Sequence, residues 1–295
     1  MTKYILAISG GIDSVTLLDK VAVDGDFRDS HFPSSVWPNN FVVAHFDHGI
    51  RPESYRDASF VKKLASRYGV KAIIQSSQLG ANCNEQLARQ ARYDFLRSLL
   101  DDGDLIVTAH HRDDYIETAV MFISRGTGWR GLAVMSAPDI MRPLATYSKV
   151  DLARYAIEHN LTWVEDETNF SSRYFRNRLR STMASWSEQD RLKLFQLIQA
   201  QLSLASQIDV ELNRVIKLII NQSNYITMER YFLIMIDEMV AIEILKKITK
   251  GQLTSPQLKQ LLHFIKTAKP SKRMVWRGLT VKVNKRQVSF RLFIC

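Results

Sequence analysis

Short apolar runs alternate with amphipathic segments along the first half of the chain. The apolar runs cover 4–8, 41–46, 70–74 and 104–109. Stretches with helical spacing follow them at 14–22, 54–68, 84–100 and 113–124. Continuous apolar runs are typical of strands buried on both faces, and regular alternation of strand and helix favours a parallel sheet covered by helices. We therefore expect an α/β fold with a doubly wound parallel sheet.

The pattern changes in the second half. Polar, proline-containing residues 24–40 predict a long loop, and a further helix is expected at 148–159. Beyond a polar, arginine-rich tract the spacing is helical over 188–220, 236–249 and 255–267. Alternating apolar and basic residues over 274–293 then indicate a hairpin. We expect a domain boundary near 182–186, with a catalytic domain at 1–184 and a smaller, mainly helical basic domain at 185–295.

Composition limits the classes of protein to consider. Hydrophobic residues make up 46% and charged residues 24% of the 295 positions, as is ordinary for a globular protein. No apolar run approaches the roughly 18 residues of a membrane span, and the first apolar run is too short for a signal peptide. Cys83 and Cys295 cannot form a disulfide framework or a four-cysteine metal site. A cytoplasmic protein without membrane contact is expected.

Positive charge is concentrated at the C-terminal end. Residues 244–295 contain 13 Lys or Arg and no Asp or Glu, so the other 243 residues carry 27 basic against 30 acidic groups. The whole net charge of +10 therefore belongs to this basic segment. A solvated lysine-rich face would explain isolated charges, but the segment also contains apolar residues such as Trp276 and Phe290 and looks folded. A nucleic-acid surface is the better interpretation.

The stretch Ser9-Gly10-Gly11-Ile12-Asp13-Ser14 joins the first predicted strand to the first predicted helix. A glycine-rich turn at a helix N-terminus can point several backbone N–H groups at one phosphate, and both serines add hydroxyl donors. Asp13 would repel phosphate unless it binds a metal or orients another group. This loop resembles the SGGxDS pyrophosphate loop of ATP-pyrophosphatases.

Two more polar clusters directly follow predicted strands: HFDHGIRPES at 45–54 and TAHHRDD at 108–114. Ligands of open α/β sheets bind outside the carboxyl ends of the strands, so the three clusters together predict an active site. Neither histidine cluster has the spacing of a zinc helix, whereas a magnesium ion carried by ATP needs only one or two carboxylates, such as Asp13. Asp113, Asp114 and Glu117 have spacings that allow them to share a helix face.

A closer resemblance rests on several motifs that occur in a fixed order. They are HFDHGIRPES, EQLARQARYDFL (85–96), TAHHRDDYIETAVMFISRGTGWRGL (108–132), MRPL (141–144) and WVEDETNFSSRYFRNRLR (163–180). Together with the SGGIDS loop, they resemble tRNA(Ile)-lysidine synthetases over residues 3–182. Tyr115 departs from this pattern, because a Gln is usual there. The C-terminal part is shorter than in many members.

The resemblance implies an adenine nucleotide alpha hydrolase-like fold and a ligase that uses ATP and Mg²⁺. Such an enzyme adenylates C2 of the wobble cytidine in the CAU anticodon of tRNA(Ile), and L-lysine then replaces AMP to give lysidine. By motif position, Ser9, Gly10, Gly11, Ile12, Asp13 and Ser14 would bind ATP, and Asp13 its Mg²⁺. Asp13, Arg92, His110 and Asp114 would be catalytic, and Asp114 and Glu117 would bind lysine. The expected tRNA contacts are Arg173, Arg176, Arg178, Arg180, Lys272, Arg273, Lys285 and Arg286.

Three other functions share parts of this pattern. A tRNA thiolase would need paired cysteines, and a glutamine-dependent synthetase would need a glutaminase domain. A noncatalytic, nucleotide-gated RNA-binding protein fits the basic segment but gives the acidic residues at 113–117 no role. Oligomeric state stays open, with a homodimer as one option.

Overall fold

The computed structural model describes residues 2–33, 36–49, 54–78, 80, 85–165, 179, 182–217, 220–222, 225–276 and 278–292. The chain divides into two compact units, Met1–Leu202 and Ser203–Cys295. Two sets of residues singled out above lie outside the described residues. They are the predicted tRNA contacts Arg173, Arg176, Arg178 and Arg180, and the two cysteines, Cys83 and Cys295.

The first unit contains a five-stranded parallel sheet, as the alternating pattern predicts. Its strands are β1 (Tyr4–Ala7), β2 (Phe41–Asp47), β3 (Lys71–Ser76), β4 (Leu105–Thr108) and β5 (Ile140–Met141). Its helices are α1 (Ile12–Val23), α2 (Gly25–His31), α3 (Ser54–Arg67), α4 (Glu85–Ser98), α5 (Arg112–Ile123) and α6 (Lys149–Glu158), with a 3₁₀ turn at Trp129–Leu132. The strand order is β3-β2-β1-β4-β5. The predicted doubly wound fold is confirmed.

Strand β1 lies in the middle of the sheet and explains how both faces are buried. Tyr4 and Leu6 join the core formed with α1, α3 and α6, whereas Ile5 joins the core formed with α4. All three side chains are nearly inaccessible to solvent. This alternation follows from the two-residue period of a strand and fixes which helices cover each face.

The predicted loop over 24–40 is wrong in part, because α2 occupies Gly25–His31. The Asp24 side chain caps this helix by accepting a hydrogen bond from the Phe27 N–H at 3.0 Å. Phe27 is buried and its ring packs on that of His31, with 4.5 Å between the ring centroids. The Asp24 cap and the buried Phe27 side chain thus stabilise a helix in a segment whose composition indicates a loop.

Helix α6 braces the two helices whose N-termini carry the polar clusters. On the α1 side, the Tyr155 hydroxyl donates to Asp19 at 2.8 Å, and the Lys20 ammonium lies 4.2 Å from the centre of the Tyr155 ring. On the α5 side, the Lys149 backbone N–H donates to Asp113 at 2.8 Å. These contacts fix α1 relative to α5.

The second unit combines helices with an antiparallel sheet. The helices of this part are α7 (Glu188–Lys217), which begins in the first unit, α8 (Arg230–Met235), α9 (Glu238–Ile248) and α10 (Ser255–Thr267). The strands are β6 (Ile220–Gln222), β7 (Tyr225–Glu229), β8 (Lys272–Trp276), β9 (Leu279–Val283) and β10 (Gln287–Leu292), in the order β6-β7-β10-β9-β8. The predicted helices are confirmed, although the first ends at Lys217 rather than at 220. The predicted hairpin is part of a five-stranded sheet.

Helices in the described ranges are all too short or too polar to cross a membrane.

Candidate active site

The three polar clusters meet at one edge of the parallel sheet. Ala7, the last residue of β1, pairs with Ala44 of β2 and with Thr108 of β4, so the segments after these strands leave the sheet together. They enclose a cavity of about 400 Å³. Its polar and charged lining residues are Ser9, Asp13, Ser14, His45, Asp47, His48, Asp57, Arg92, Tyr93, Thr108, His110 and Asp114. The predicted convergence of the clusters is confirmed.

The Ser9–Ser14 loop is organised by the Ser14 hydroxyl. This oxygen accepts from the backbone N–H groups of Ser9 and Gly10 at 3.2 and 3.1 Å, and it donates to the Gly11 carbonyl at 2.9 Å. Gly10 has a φ of +94°, a conformation that side chains with a Cβ rarely adopt. Gly11 is the N-cap of α1 and offers no side-chain cap, so the positive end of the helix is open toward the loop. Such a loop can hold an anion.

A second turn, after β2, depends on Gly49. The Gly49 N–H donates to the Asp47 carboxylate at 2.9 Å, and the residue has a φ of +62°. A Cβ at this position would lie 2.2 Å from the Ser77 carbonyl oxygen. Only glycine therefore allows the segment after β2 to pass this closely over the end of β3, and this turn sets the position of His48 in the cavity wall.

Gly49→Ala should destabilise the protein by about 2–5 kcal/mol, because it adds a backbone clash to an unfavourable φ. Gly69→Ala is the matched control: its φ is +69°, but a Cβ there has no neighbour within 4 Å. The control should cost only about 1–2 kcal/mol. Urea denaturation of both variants measures the difference, and equal losses would contradict the clash.

His111 lies between Asp13, which follows the glycines of the Ser9–Ser14 loop, and the acidic start of α5. Its side chain is 2% exposed, and its Nε2 lies 3.7 Å from the Asp13 carboxylate and 3.6 Å from that of Asp114. Asp114 also accepts from the His111 backbone N–H at 3.0 Å. Asp13 and Asp114 therefore both lie beside the His111 imidazole, at the same part of the cavity.

The other acidic residue of this turn has a structural role instead. Asp113 accepts from Lys149 N–H, and its second carboxylate oxygen lies 3.0 Å from the Arg191 guanidinium. Its neighbour Arg112 is buried and forms an ion pair with Glu188. The start of α5 is thereby tied both to α6 and to the first turn of α7.

Tyr115, the departure from the family pattern, is buried on the same helix. Its ring makes an edge-to-face contact with Phe195 of α7, with 5.8 Å between the ring centroids. The aromatic residue is thus explained by packing between α5 and α7.

One guanidinium and two imidazoles with lowered pKa values line the cavity together. Burial, aided by the positive charges of Arg142 and Arg92, lowers the pKa of His110 to about 3, although Asp114 opposes the shift. Burial and then the Arg92 charge also lower the pKa of His48. Both rings are therefore neutral near pH 7, and Arg92 is the Lys or Arg side chain among the described residues that line the cavity. The His110 Nδ1 lies 2.7 Å from the Thr108 hydroxyl, which orients its ring.

The structure brings most, but not all, of the predicted site residues to the cavity. Ser9, Asp13, Ser14, Arg92, His110 and Asp114 line it, and Gly10, Gly11 and Ile12 complete the loop beside it. Glu117 is buried one turn farther along α5 and is not among the lining residues. Lys272, Arg273, Lys285 and Arg286 are exposed in the second unit.

Sequence reasoning missed several lining residues. His45, Asp47, Asp57 and Tyr93 contribute to the wall without having been assigned a role. His45 and Asp47 belong to a cluster that follows a strand, which was a usable signal. Tyr93 lies within an amphipathic helix, where nothing in the spacing distinguishes a cavity wall from the core.

Two carboxylates of the cavity suit a magnesium ion that arrives with a nucleotide. Within the described part of the chain, no three His, Cys, Asp or Glu side chains are grouped closely enough to hold a metal ion. Asp13 and Asp114 both approach His111 Nε2 and both line the cavity. One or two carboxylates with phosphate oxygens are a typical Mg²⁺ environment.

Comparison with known proteins adds three findings. The family model of the PP-loop domain, ATP_bind_3, matches residues 1–185. A tRNA(Ile)-lysidine synthase of Legionella pneumophila (strain Paris) is 38% identical over 185 residues, which cover 60% of this chain and 41% of that protein. The enzyme of the same name from Streptococcus sanguinis (strain SK36) is 36% identical over 187 residues, or 61% of this chain and 40% of that protein. The chain thus spans about two fifths of the length of these relatives.

A solved structure is similar in fold. The U34-tRNA thiolase NcsA from Methanococcus maripaludis superimposes with a TM-score of 0.52 at 16% identity, over 68% of this chain and 72% of that one. At this identity, the likeness concerns the architecture of the parallel sheet and its helices.

Proposed function

We propose that this chain, which belongs to the PP-loop domain family, uses ATP to join lysine to the wobble cytidine of the CAU anticodon of tRNA(Ile). The observation that carries the proposal is that Ser9, Asp13, Arg92, His110 and Asp114 line one and the same cavity. The names of the curated relatives, which match over the same residues, favour this substrate over other acceptors of AMP.

The reaction we propose has two steps. The C2 oxygen of the cytidine attacks the α-phosphorus of ATP, so that diphosphate leaves and an adenylated tRNA forms. The lysine ε-amine then attacks C2, and the C2–O bond breaks to release AMP. The product is lysidine, which pairs with A rather than G and changes codon reading from AUG to AUA.

The glycine loop would hold the triphosphate. In the structure, the Ser9 and Gly10 N–H groups donate to the Ser14 hydroxyl, and we propose that phosphate oxygens take over as their acceptors. The open N-terminus of α1 adds a favourable dipole. Asp13 would place the Mg²⁺ that accompanies ATP, which offsets negative charge on the phosphates.

Arg92 and His110 would assist adenylation. The guanidinium of Arg92 can stabilise the negative charge that develops as diphosphate leaves. His110 is neutral near pH 7, because its pKa is lowered to about 3. It can therefore form hydrogen bonds to the reacting groups without adding a second positive charge.

Asp114 would receive the ammonium group of lysine. Its carboxylate lines the cavity and is oriented by the His111 N–H at 3.0 Å. A carboxylate in a partly enclosed site binds an ammonium through charge-assisted hydrogen bonds. Glu117 stays part of the proposed lysine site as the neighbouring acid on α5, although Asp114 has the more direct position.

The basic segment 244–295 would bind the tRNA backbone. Lys272 and Arg273 begin β8, and Arg273 pairs in register with Lys282 on β9, while Lys285 and Arg286 lie in the turn before β10. All of these side chains are exposed. An exposed basic sheet and turn provide phosphate contacts without reading the base sequence.

Neutralising Lys272, Arg273, Lys285 and Arg286 together should weaken tRNA binding and flatten its salt dependence. Each lost phosphate contact lowers the slope of log K against log salt concentration by roughly 0.7–0.9, so four contacts correspond to about 3. Fluorescence titration of a CAU-anticodon tRNA at several salt concentrations measures this slope.

The control for this experiment removes the same charge elsewhere. It neutralises four exposed lysines of the first unit, Lys62, Lys63, Lys71 and Lys193. The control should keep the parent slope, and an unchanged slope in the first variant would show that the basic segment is not the tRNA surface.

The activity itself is tested by AMP release. The full chain with ATP, Mg²⁺ and a CAU-anticodon tRNA should release AMP only when lysine is added, whereas diphosphate release marks the first step. AMP formation that does not depend on added lysine would contradict the proposal and favour a different acceptor of the adenylyl group. No AMP in any mixture would favour a noncatalytic RNA-binding protein.

A further inference from the structure

His45 is a buried histidine in the cavity wall that the proposed reaction does not use. It lies near the end of β2, is 5% exposed, and its Nδ1 lies 2.8 Å from the backbone carbonyl oxygen of Ile8. A carbonyl oxygen can only accept, so the His45 Nδ1 carries the proton and donates. In the neutral ring, Nε2 is then an acceptor with a fixed direction.

No donor satisfies His45 Nε2 among the described residues. It is shielded from water and has no hydrogen-bond partner within the described parts of the chain. Buried acceptors are nearly always satisfied, because an unmet one costs free energy. An unmet acceptor in the wall of a ligand cavity is a position where a ligand can supply the donor.

Among the other ring side chains that line the cavity, His48 Nδ1 and the Tyr93 hydroxyl are similarly buried without a hydrogen-bond partner in the described parts of the chain. Each of these groups can act as donor or acceptor, so they do not specify a partner. Of these three rings, only that of His45 has its donor and acceptor atoms fixed by a protein contact, the one to the Ile8 carbonyl. Ala44 and Phe46, on either side of His45 in β2, also line the cavity and give it apolar surface suited to a nucleoside.

We propose that His45 Nε2 accepts a hydrogen bond from the nucleoside half of ATP, and so helps to select the nucleotide. The assignment rests on the proposed function, in which ATP occupies this cavity. Ionised phosphates carry acceptors only, which excludes the triphosphate as the partner. The remaining donors of ATP are the N6 amino group of adenine and the two ribose hydroxyls.

His45→Asn tests the role of Nε2 separately from that of Nδ1. The asparagine amide can still donate to the Ile8 carbonyl from the place of Nδ1, but it does not reach the place of Nε2. We expect the Kd for ATP to rise about tenfold, as for one lost hydrogen bond, while the unfolding midpoint stays near that of the parent chain. Equilibrium binding of ATP in the absence of tRNA and lysine measures this change. An unchanged Kd overturns the assignment.

Nucleotide analogues identify the donor. Purine riboside triphosphate lacks the N6 amino group, and 2′-deoxy- and 3′-deoxy-ATP each lack one hydroxyl. The analogue without the partner of Nε2 should bind the parent and His45→Asn equally, whereas the others keep the tenfold difference. A difference that persists for all three analogues overturns the assignment and gives His45 a structural role.

A second variant covers the case in which His45→Asn does not fold. His45→Gln can place an acceptor near the position of Nε2 and should keep the parent preference among the analogues. Loss of that preference contradicts the proposal. If the parent chain does not bind ATP, the proposed function itself fails. If the parent chain binds ATP and His45→Asn binds it equally well, only the role of His45 is wrong, so the two failures are distinguishable.

Discussion

Asp13→Ala should fold like the parent chain and lose adenylation of tRNA by about a hundredfold or more. The carboxylate lies at the start of α1, is 30% exposed and lines the cavity, so its loss removes little packing. Its proposed role is to place Mg²⁺ and the triphosphate, and removal of one preorganised electrostatic group of this kind typically costs about 10²–10³ in rate. Formation of diphosphate without lysine measures the step.

A matched control is Asp26→Ala. Asp26 is also an acidic residue in the first turn of a helix, but it is exposed on α2 and does not line the cavity. It should lose a similar small helix-dipole interaction and keep full adenylation. Near-normal adenylation by Asp13→Ala would remove this residue from the proposed site.

Asp114→Asn should raise the apparent lysine requirement by about ten- to a hundredfold. A charge-assisted hydrogen bond contributes about 1.5–3 kcal/mol, and asparagine retains an oxygen that can accept from the His111 N–H. The fold should therefore be preserved while the ammonium loses its counter-charge. The lysine dependence of AMP release measures the effect, and adenylation without lysine should suffer less.

Two neighbouring variants define the limits of this interpretation. Asp113→Asn weakens contacts to Arg191 and to Lys149 N–H, so it should lower stability and affect both steps alike. Glu117→Gln shows whether this buried acid shares in lysine binding. Equal losses of both steps in Asp114→Asn would argue that Asp114 acts on ATP or on the fold.

The sequence predicted where the candidate site lies better than it predicted which side chains line that site. Strand ends could be read from where apolar runs stop, and parallel strands necessarily end at a common edge. The convergence of the segments after Ala7, Asp47 and Thr108 therefore followed from local pattern and fold class alone.

The orientation of individual side chains could not be predicted in the same way. Asp113 and Asp114 are adjacent on α5 and have equivalent helical spacing to Glu117. Only the packing of α6 and α7 decides that Asp113 faces Arg191 while Asp114 faces the cavity. The roles of these acids depend on contacts across 36 and 78 residues of sequence, which periodicity does not record.

The sheet of the second unit was missed for a related reason. Strand β7 pairs with β10, so that Thr227 lies opposite Ser289 and their hydroxyls are 3.1 Å apart. The short strands β6 and β7 give no strong alternation by themselves. Only the hairpin of β9 and β10, whose partners are close in sequence, was visible from the pattern.

The proposed function requires that ATP drive covalent attachment of lysine to the wobble cytidine. The most direct measurement is the transfer of labelled lysine to a CAU-anticodon tRNA(Ile) by the full chain, followed by nuclease digestion to locate the label. We expect ATP-dependent label in the wobble nucleotide, and no label when that cytidine is replaced by uridine. Label at another position, or no label while ATP is converted to AMP, would contradict it.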